Sequence, residues 1–180
     1  GMAGVCAAVQ AARRGAKTLL VEPMGCLGGT LTQGLVPQVL DADNKGGLVR
    51  ELYQALDAQG MTCPRTGPRL DASGRRLPGR LVDVEGSKVA LETLCREAGV
   101  EVLLYSRLAD VVCERGRIAR ALLSTEAGNL QVAGRIFIDA TGNGMLASLC
   151  GCDGETGTPD TGTPQPASMS VQVVGLPRDA

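Results

Sequence analysis

The chain has 180 residues, and its 18 basic and 19 acidic side chains leave a formal net charge of -1. Charge this balanced excludes a nucleic-acid binder that works by neutralising phosphates. The absence of histidine excludes a histidine base or a histidine-ligated metal within these residues. Hydrophobic residues make up 44% of the chain, enough for one packed domain. No run of about 18 apolar residues is present, so no membrane span is predicted, and no signal peptide is visible.

The cysteine pattern favours reduced, packed thiols. There are seven cysteines, and only Cys150 and Cys152 form a close pair. One such pair without a second is too sparse for a zinc site, so no metal is expected. Reduced thiols in turn favour a cytoplasmic protein.

The first predicted elements are a helix and a strand. Apolar residues at Val5, Ala8, Val9 and Ala12 lie on one helical face, and Gly15 is placed to end the helix. The short apolar run within 17–22 then predicts a buried parallel strand.

The middle of the chain is predicted to hold two further helices separated by an irregular insertion. A glycine-rich loop over 23–47 leads into a helix that begins near Leu48 and ends at Gly60. Residues 61–80 hold three prolines, three glycines and five arginines, which predicts a basic, irregular loop. A helix with Leu91, Leu94, Cys95 and Ala98 on one face then ends at Gly99, and a buried strand follows over 100–104.

The last third predicts short strands and a loop. Runs at 108–114, 117–124 and 129–134, joined by glycine turns, predict an antiparallel meander. A buried strand over 136–138 follows and ends in the sequence Asp139-Ala140-Thr141-Gly142-Asn143-Gly144. Residues 151–166 are rich in Gly, Thr and Pro and predict a loop. The alternation of Met169, Val171 and Val173 predicts the first strand of a second, substrate domain that is truncated.

Two glycines and one glutamate match the later part of the dinucleotide-binding fingerprint. Gly1 and Gly4 open the first helix, and Glu22 ends the following strand. Glycine lets the backbone approach a pyrophosphate, the helix N-terminus offers free N–H groups, and the carboxylate accepts hydrogen bonds from ribose hydroxyls. The fingerprint's first strand and first glycine are absent, so we expect a fragment that begins inside the motif.

Three motifs carry a resemblance to a known family. A simple NAD domain would not be interrupted by a meander and then resume with a strand before Thr141-Gly142. The chain instead resembles, over roughly residues 1–175, the FAD-dependent oxidoreductase family, relatives of the fumarate reductase flavoproteins with a glutathione-reductase-type FAD-binding fold. The motifs are Gly28-Gly29-Thr30 with Thr32 and Gly34, then Gly46-Gly47-Leu48-Val49-Arg50-Glu51, and Ile138-Asp139-Ala140-Thr141-Gly142. Family members commonly have an acidic residue where Asn143 stands, which alters local hydrogen bonding but not the cofactor class.

The resemblance implies an α/β, Rossmann-like three-layer domain with a parallel sheet and an antiparallel β-meander, incomplete at both ends. Residues 1–150 would form the FAD-binding domain, with the insertion at 61–80, and residues 151–180 a loop and the start of the substrate domain. It also implies a cofactor site with five parts. These are Gly1, Met2, Ala3 and Gly4 against the pyrophosphate, Glu22 and Pro23 at the adenosine ribose, Gly28, Gly29 and Thr30 along the ribose and phosphates, Leu108 and Ala109 at the adenine edge, and Thr141 and Gly142 over the pyrophosphate.

The implied function is hydride or two-electron transfer between FAD and a small organic substrate. The alternatives are an NAD-dependent dehydrogenase of related fold and a non-catalytic FAD-binding scaffold subunit. No catalytic residue, substrate or oligomeric state can be named. Because no cysteine lies between 27 and 62, a redox pair beside the glycine loop is not expected, and Cys26 is interpreted as a packed thiol. Arg50 and Glu51 fit either a position near the flavin or helix-end electrostatics.

Overall fold

The structure, a computed structural model, describes residues 1–39, 45–64 and 80–173. Its first unit is a helix followed by a strand, as the apolar spacing predicts. Helix α1 (Met2–Arg13) buries Val5, Ala8 and Val9, and the chain turns at Gly15 with a φ of 86°. Strand β1 (Leu19–Val21) pairs in parallel with β4 (Glu101–Leu103). Its side chains are half-buried or exposed rather than fully buried, because only one edge of β1 is paired among the described residues.

Two more helices pack beside α1 and enclose the core. Helix α2 (Gly47–Asp57) has a strongly apolar face and contacts α3 (Val84–Glu97), which in turn contacts α1. The Asp83 side chain caps α3 by accepting a hydrogen bond of 2.6 Å from the Gly86 N–H. The apolar side chains that meet between these helices include Val5, Val9, Leu27, Leu31, Leu52, Leu56, Leu91, Leu94 and Cys95.

The prediction of an irregular loop over 61–80 is wrong at its two ends. Strand β2 (Thr62–Pro64) pairs antiparallel with β3 (Arg80–Val82). A ladder of only three residues has too little periodicity to be read from sequence. Residues 65–79, which hold most of the basic insertion, lie outside the described part of the chain.

The antiparallel meander is confirmed. Strands β5 (Arg107–Glu114), β6 (Arg117–Thr125) and β7 (Gly128–Ala133) form a three-stranded sheet in that order. The β5–β6 pairing shifts register twice, once between Leu108 and Asp110 and once between Val112 and Cys113. The first shift leaves Ala109 of β5 without a partner and the second leaves Ala119 of β6 without one, so each strand carries one extra residue.

Two predicted strands are not observed. Residues 136–138 make no ladder with any described strand, and Ile136 and Ile138 are 83% and 60% exposed. An extended segment becomes a strand only when its backbone pairs with a neighbour, and no described strand lies beside this one. The described residues of the tail, through Val173, are likewise unpaired, and Met169 is 89% exposed. The predicted loop over 151–166 is confirmed, and the short helix α4 (Met145–Leu149) precedes it.

Candidate functional site

Glu22 lies at the carboxyl end of β1 and turns its carboxylate toward the start of α1. Its side chain is buried, and the residue is only 5% exposed. The nitrogen of Gly1 donates to Oε2 at 3.0 Å, and the Met24 N–H donates to Oε1 at 3.1 Å. Each carboxylate oxygen can accept two hydrogen bonds, so the carboxylate keeps acceptor capacity for further donors.

The N-terminus of α1 presents free backbone donors beside this carboxylate. The first helical hydrogen bond runs from the Val5 N–H to the Gly1 carbonyl at 3.2 Å. The N–H groups of Met2, Ala3 and Gly4 precede it and have no intrahelical acceptor. Within the described ranges no side chain caps this end. Such an end favours an anionic group.

Gly4 allows α1 to approach two segments at once. A Cβ at this position would lie 3.3 Å from both the Ala140 Cβ and the Leu20 Cδ1. Those contacts are tighter than ordinary packing, so a glycine here lets the helix lie close to β1 and to the segment before Thr141. The helix therefore connects the first and last motifs found in the sequence.

The glycine pair after β1 packs against the first residue of the helix. Gly28 and Gly29 adopt φ angles of 113° and 59°, which favour glycine. A Cβ on Gly29 would lie 2.9 Å from the Gly1 Cα, which is closer than real Cβ atoms approach. The buried Thr32 hydroxyl donates to the Leu27 carbonyl at 2.6 Å and holds this loop in place. The structure thus brings Gly1, Gly29 and Glu22 together, while Pro23 and Thr30 lie on the exposed side of the same loop.

The backbone that follows β4 is hydrogen-bonded to the loop that contains Glu22. The Ser106 N–H donates to the Glu22 carbonyl at 3.1 Å, and the Tyr105 N–H donates to the Met24 carbonyl at 3.2 Å. Leu108 and Ala109 follow on β5, and Ala109 lies at the bulge of that strand. The start of the meander is therefore tied to the Glu22 loop by the hydrogen bond of Ser106.

The loop over 139–144 is organised by Asp139. Its Oδ1 accepts from the Thr141 N–H at 2.9 Å and the Thr141 hydroxyl at 2.7 Å, while Oδ2 accepts from the Ala147 N–H at 2.9 Å. Partial burial raises the pKa of this carboxyl, but the hydrogen bonds from Thr141, Ala147 and Leu146 outweigh it and lower the pKa overall. Gly142 has a φ of 81°, in the left-handed region. Most of the loop is exposed, and its Ala140 side chain lies close to Gly4 of α1.

Sequence analysis does not anticipate the contacts of two residues at the site, Tyr105 and Asp139. The Tyr105 ring lies against Gly25, where any Cβ would overlap its hydroxyl. The motif places Asp139 after a predicted strand, whereas in the structure its carboxylate accepts the hydrogen bonds that organise a loop. Side-chain contacts of this kind follow from tertiary packing, which periodicity does not encode.

Glu51 belongs to a helix–helix contact. Arg13, in the last turn of α1, donates two hydrogen bonds to its carboxylate at 2.9 and 2.7 Å. The hydrogen bond from Arg13 lowers the pKa of Glu51. Glu51 therefore takes part in an ion pair between α1 and α2, and both alternatives for Arg50 and Glu51 stay predictions.

Cys26 is buried, as expected of a packed thiol, and its sulfur accepts from the Gln33 Nε2 at 2.9 Å. Among the described residues there is no group of three or more acidic, histidine or cysteine side chains arranged to hold a metal ion.

Comparison with protein families identifies the chain. A sequence profile described as FAD dependent oxidoreductase matches residues 1–180. The chain belongs to this family. Its cofactor is FAD, and its fold is the Rossmann-like α/β fold of FAD-binding proteins. No curated protein matches the chain.

Solved structures agree on the fold of this FAD dependent oxidoreductase. The myxobacterial chondrochloren halogenase CndH is 20% identical with a TM-score of 0.58, and the match covers 79% of this chain and 36% of the halogenase. The flavin-dependent brominase Bmp2, as a triple mutant, is 20% identical with a TM-score of 0.58, covering 82% of this chain and 38% of the brominase. THI4 from Thermovibrio ammonificans is 18% identical with a TM-score of 0.52, covering 79% of this chain and 55% of THI4.

These similarities concern the fold alone. The chain spans about a third to just over half of the length of these proteins. In the described part of the chain, no helix combines the length and apolarity that crossing a bilayer requires.

The residues at the site fit a dinucleotide. The uncapped helix N-terminus suits a pyrophosphate, the buried Glu22 carboxylate suits ribose hydroxyls, and Gly29 leaves no side chain between them.

Proposed function

We propose that the cluster of Gly1, Gly4, Glu22 and Gly29 binds the adenosine diphosphate half of FAD. The observation that supports this most directly is the burial of Glu22 beside the uncapped start of α1. The carboxylate accepts ribose hydroxyls, and the N–H groups of Met2, Ala3 and Gly4 donate to the pyrophosphate. FAD, when bound, supplies the flavin ring as the carrier of a hydride or an electron pair.

The other residues of the proposed site lie around this centre. Pro23 and Thr30 border the ribose, Leu108 and Ala109 offer backbone groups to the adenine edge, and Thr141 and Gly142 cover the pyrophosphate. The contact between Gly4 and Ala140 supports the last assignment, because it ties the Thr141 loop to α1.

We also propose that residues 1–150 act as the FAD-binding unit and that 151–180 lead toward a substrate-binding part. One edge of β1 is free among the described residues, and Ile136 and Ile138 present apolar side chains to solvent. A further strand could pair with that edge of β1, and the exposed Ile136 and Ile138 leave apolar surface for a substrate-binding part to cover. A cytoplasmic location is part of the proposal and rests on the reduced cysteines.

The proposed reaction is transfer of a hydride or an electron pair between FAD and a small organic substrate. To test it, the FAD-loaded protein is mixed without oxygen with NADH, NADPH and a panel of small alcohols, amines and hydroxy acids. Bleaching of the flavin absorbance at ~450 nm by one compound supports the enzyme proposal. Bound FAD that no compound reduces would favour the scaffold alternative, and failure to bind FAD would contradict both.

A further inference from the structure

A cluster of thiols lies where α4 packs against β5, outside the residues proposed to hold FAD. Cys113 is on β5, Cys150 is the C-cap of α4, and Cys152 follows two residues later. The Cys150 side chain lies within interaction distance of the Cys113 and Cys152 thiols and of Asp139. Cysteines that are 37 positions apart in sequence therefore meet in the fold.

The backbone holds these cysteines in place. The Cys150 N–H donates to the Leu146 carbonyl at 3.1 Å, so this residue continues the last turn of α4. Gly151 then reverses the chain with a φ of 75°, and the Cys152 N–H returns to the Ala147 carbonyl at 3.0 Å. On β5, Cys113 pairs with Ile118 of β6 directly after a register shift that leaves Ala119 of β6 without a partner in the ladder.

The cluster is open to small reagents. Cys113 and Cys152 are exposed and Cys150 is half-buried, in contrast to the buried Cys26 and Cys95. Burial, with a further contribution from Cys113, raises the pKa of Cys150. Cys150 is then mostly protonated at neutral pH, which makes it a slow first nucleophile. The exposed Cys113 is the thiol that a reagent reaches first.

We propose that Cys113 and Cys150 are a redox modification site, at which a low-molecular-weight disulfide such as glutathione disulfide produces an intramolecular disulfide bond. First, the Cys113 thiolate attacks glutathione disulfide, forming a mixed disulfide and releasing one glutathione thiolate. The Cys150 thiolate then attacks the Cys113 sulfur, forming the internal bond and releasing the second glutathione. The two cysteines lose two protons and two electrons, and the electrons reduce glutathione disulfide to two thiols.

The bond would join β5 to the end of α4. It would close a loop that contains β6, β7 and the Asp139 segment, and so restrict how far α4 and that segment can move from the meander. The exchange should speed up as the pH rises toward the raised pKa of Cys150, because the second step needs its thiolate.

The test treats the reduced protein with glutathione disulfide, blocks remaining thiols, and maps tryptic peptides without reduction. Trypsin cleaves after Arg107, Arg115 and Arg135, so the Cys113 peptide separates from the peptide that carries Cys150 and Cys152. We expect these two peptides to be linked. The exposed Cys63 on β2 serves as an internal control that should stop at the mixed disulfide.

Serine variants identify which cysteine forms the disulfide bond with Cys113. The link should persist in Cys152→Ser, disappear in Cys150→Ser, and disappear in Cys113→Ser with only glutathionyl adducts left on the other two. Separate, singly glutathionylated peptides in the wild type, with Cys63 also modified, would overturn the proposal. A link that survives Cys150→Ser but not Cys152→Ser would overturn the assignment to Cys150.

Discussion

Replacing Gly29 with alanine probes the close approach between the glycine loop and the start of α1. Gly29 has a φ of 59°, and its new Cβ would lie 2.9 Å from the Gly1 Cα. Because that neighbour is backbone rather than the end of a flexible side chain, the loop or the helix start has to move. Gly60 is a matched control, since its φ is 66° and a Cβ there meets nothing within 4 Å.

Both variants place an L-residue at a positive φ, but only Gly29→Ala also creates a backbone overlap. A positive φ destabilises the folded state of both variants by about 1–2 kcal/mol. The backbone overlap adds about 1–3 kcal/mol at Gly29 alone. Gly29→Ala should therefore lower the free energy of unfolding by about 2–5 kcal/mol, and Gly60→Ala by about 1–2 kcal/mol.

The functional readout is FAD affinity. If the loop lines the cofactor, displacement by the overlap should weaken binding of FAD to Gly29→Ala by at least about tenfold, which is about 1.4 kcal/mol. Gly60→Ala should bind FAD as the wild type does. Titration of the apoproteins with FAD, followed by flavin fluorescence, and urea unfolding without FAD give the two quantities. Equal losses of stability in both variants, with FAD affinity unchanged in both, would refute the reasoning.

Three further predictions follow from the site and its surroundings. Glu51→Gln should slightly lower the free energy of unfolding at neutral pH, and the difference from the wild type should vanish in acid. The pKa of Glu51 is lower in the folded protein than in the unfolded chain, so the ionised carboxylate stabilises the fold above the unfolded pKa and this stability is lost as the pH falls through the folded pKa. Asp139→Asn should loosen the loop over 139–144, which hydrogen exchange would detect as faster exchange of the Ala147 amide. The pKa of Asp139 is also lowered in the folded protein, so the slower exchange of the wild type should be lost in acid. Serine in place of Cys26 and Cys63 should leave substrate-driven flavin reduction intact, and loss of reduction with FAD still bound would show that a thiol takes part.

Local patterns predicted the helices and the meander well. The apolar face of α1 at Val5, Ala8 and Val9 and the stop at Gly15 both follow from spacing alone. The meander followed from alternation and glycine turns. These elements depend on neighbours in sequence, which is why a single sequence is sufficient to predict them.

The errors concern elements that depend on distant partners. Residues 136–138 are as apolar as a strand, yet within the described ranges nothing pairs with them. The ladder of Thr62–Pro64 with Arg80–Val82 is too short to leave a periodic signal. The meeting of Cys113 with Cys150 was equally invisible, because it arises from α4 packing on β5.

The sequence predicts which residues belong to the site better than it predicts the contacts between them. The spacing of Gly1, Gly4 and Glu22 indicated a nucleotide site, and the structure brings these residues together. The overlap that forces glycine at position 29 and the hydrogen bonds of Asp139 required coordinates. The resemblance to FAD-dependent oxidoreductases gave the cofactor, which the family match supports.

The most direct test of the central claim is the FAD affinity of Glu22→Ala and Glu22→Gln relative to the wild type. Hydrogen bonds to a charged group contribute about 1.5–3 kcal/mol. Glu22→Ala should therefore bind FAD roughly ten- to a hundredfold more weakly, and Glu22→Gln, which keeps one carbonyl acceptor, should fall between. Unfolding of each apoprotein in urea shows whether lost stability accounts for the change. Wild-type affinity for FAD in a folded Glu22→Ala protein would contradict the account.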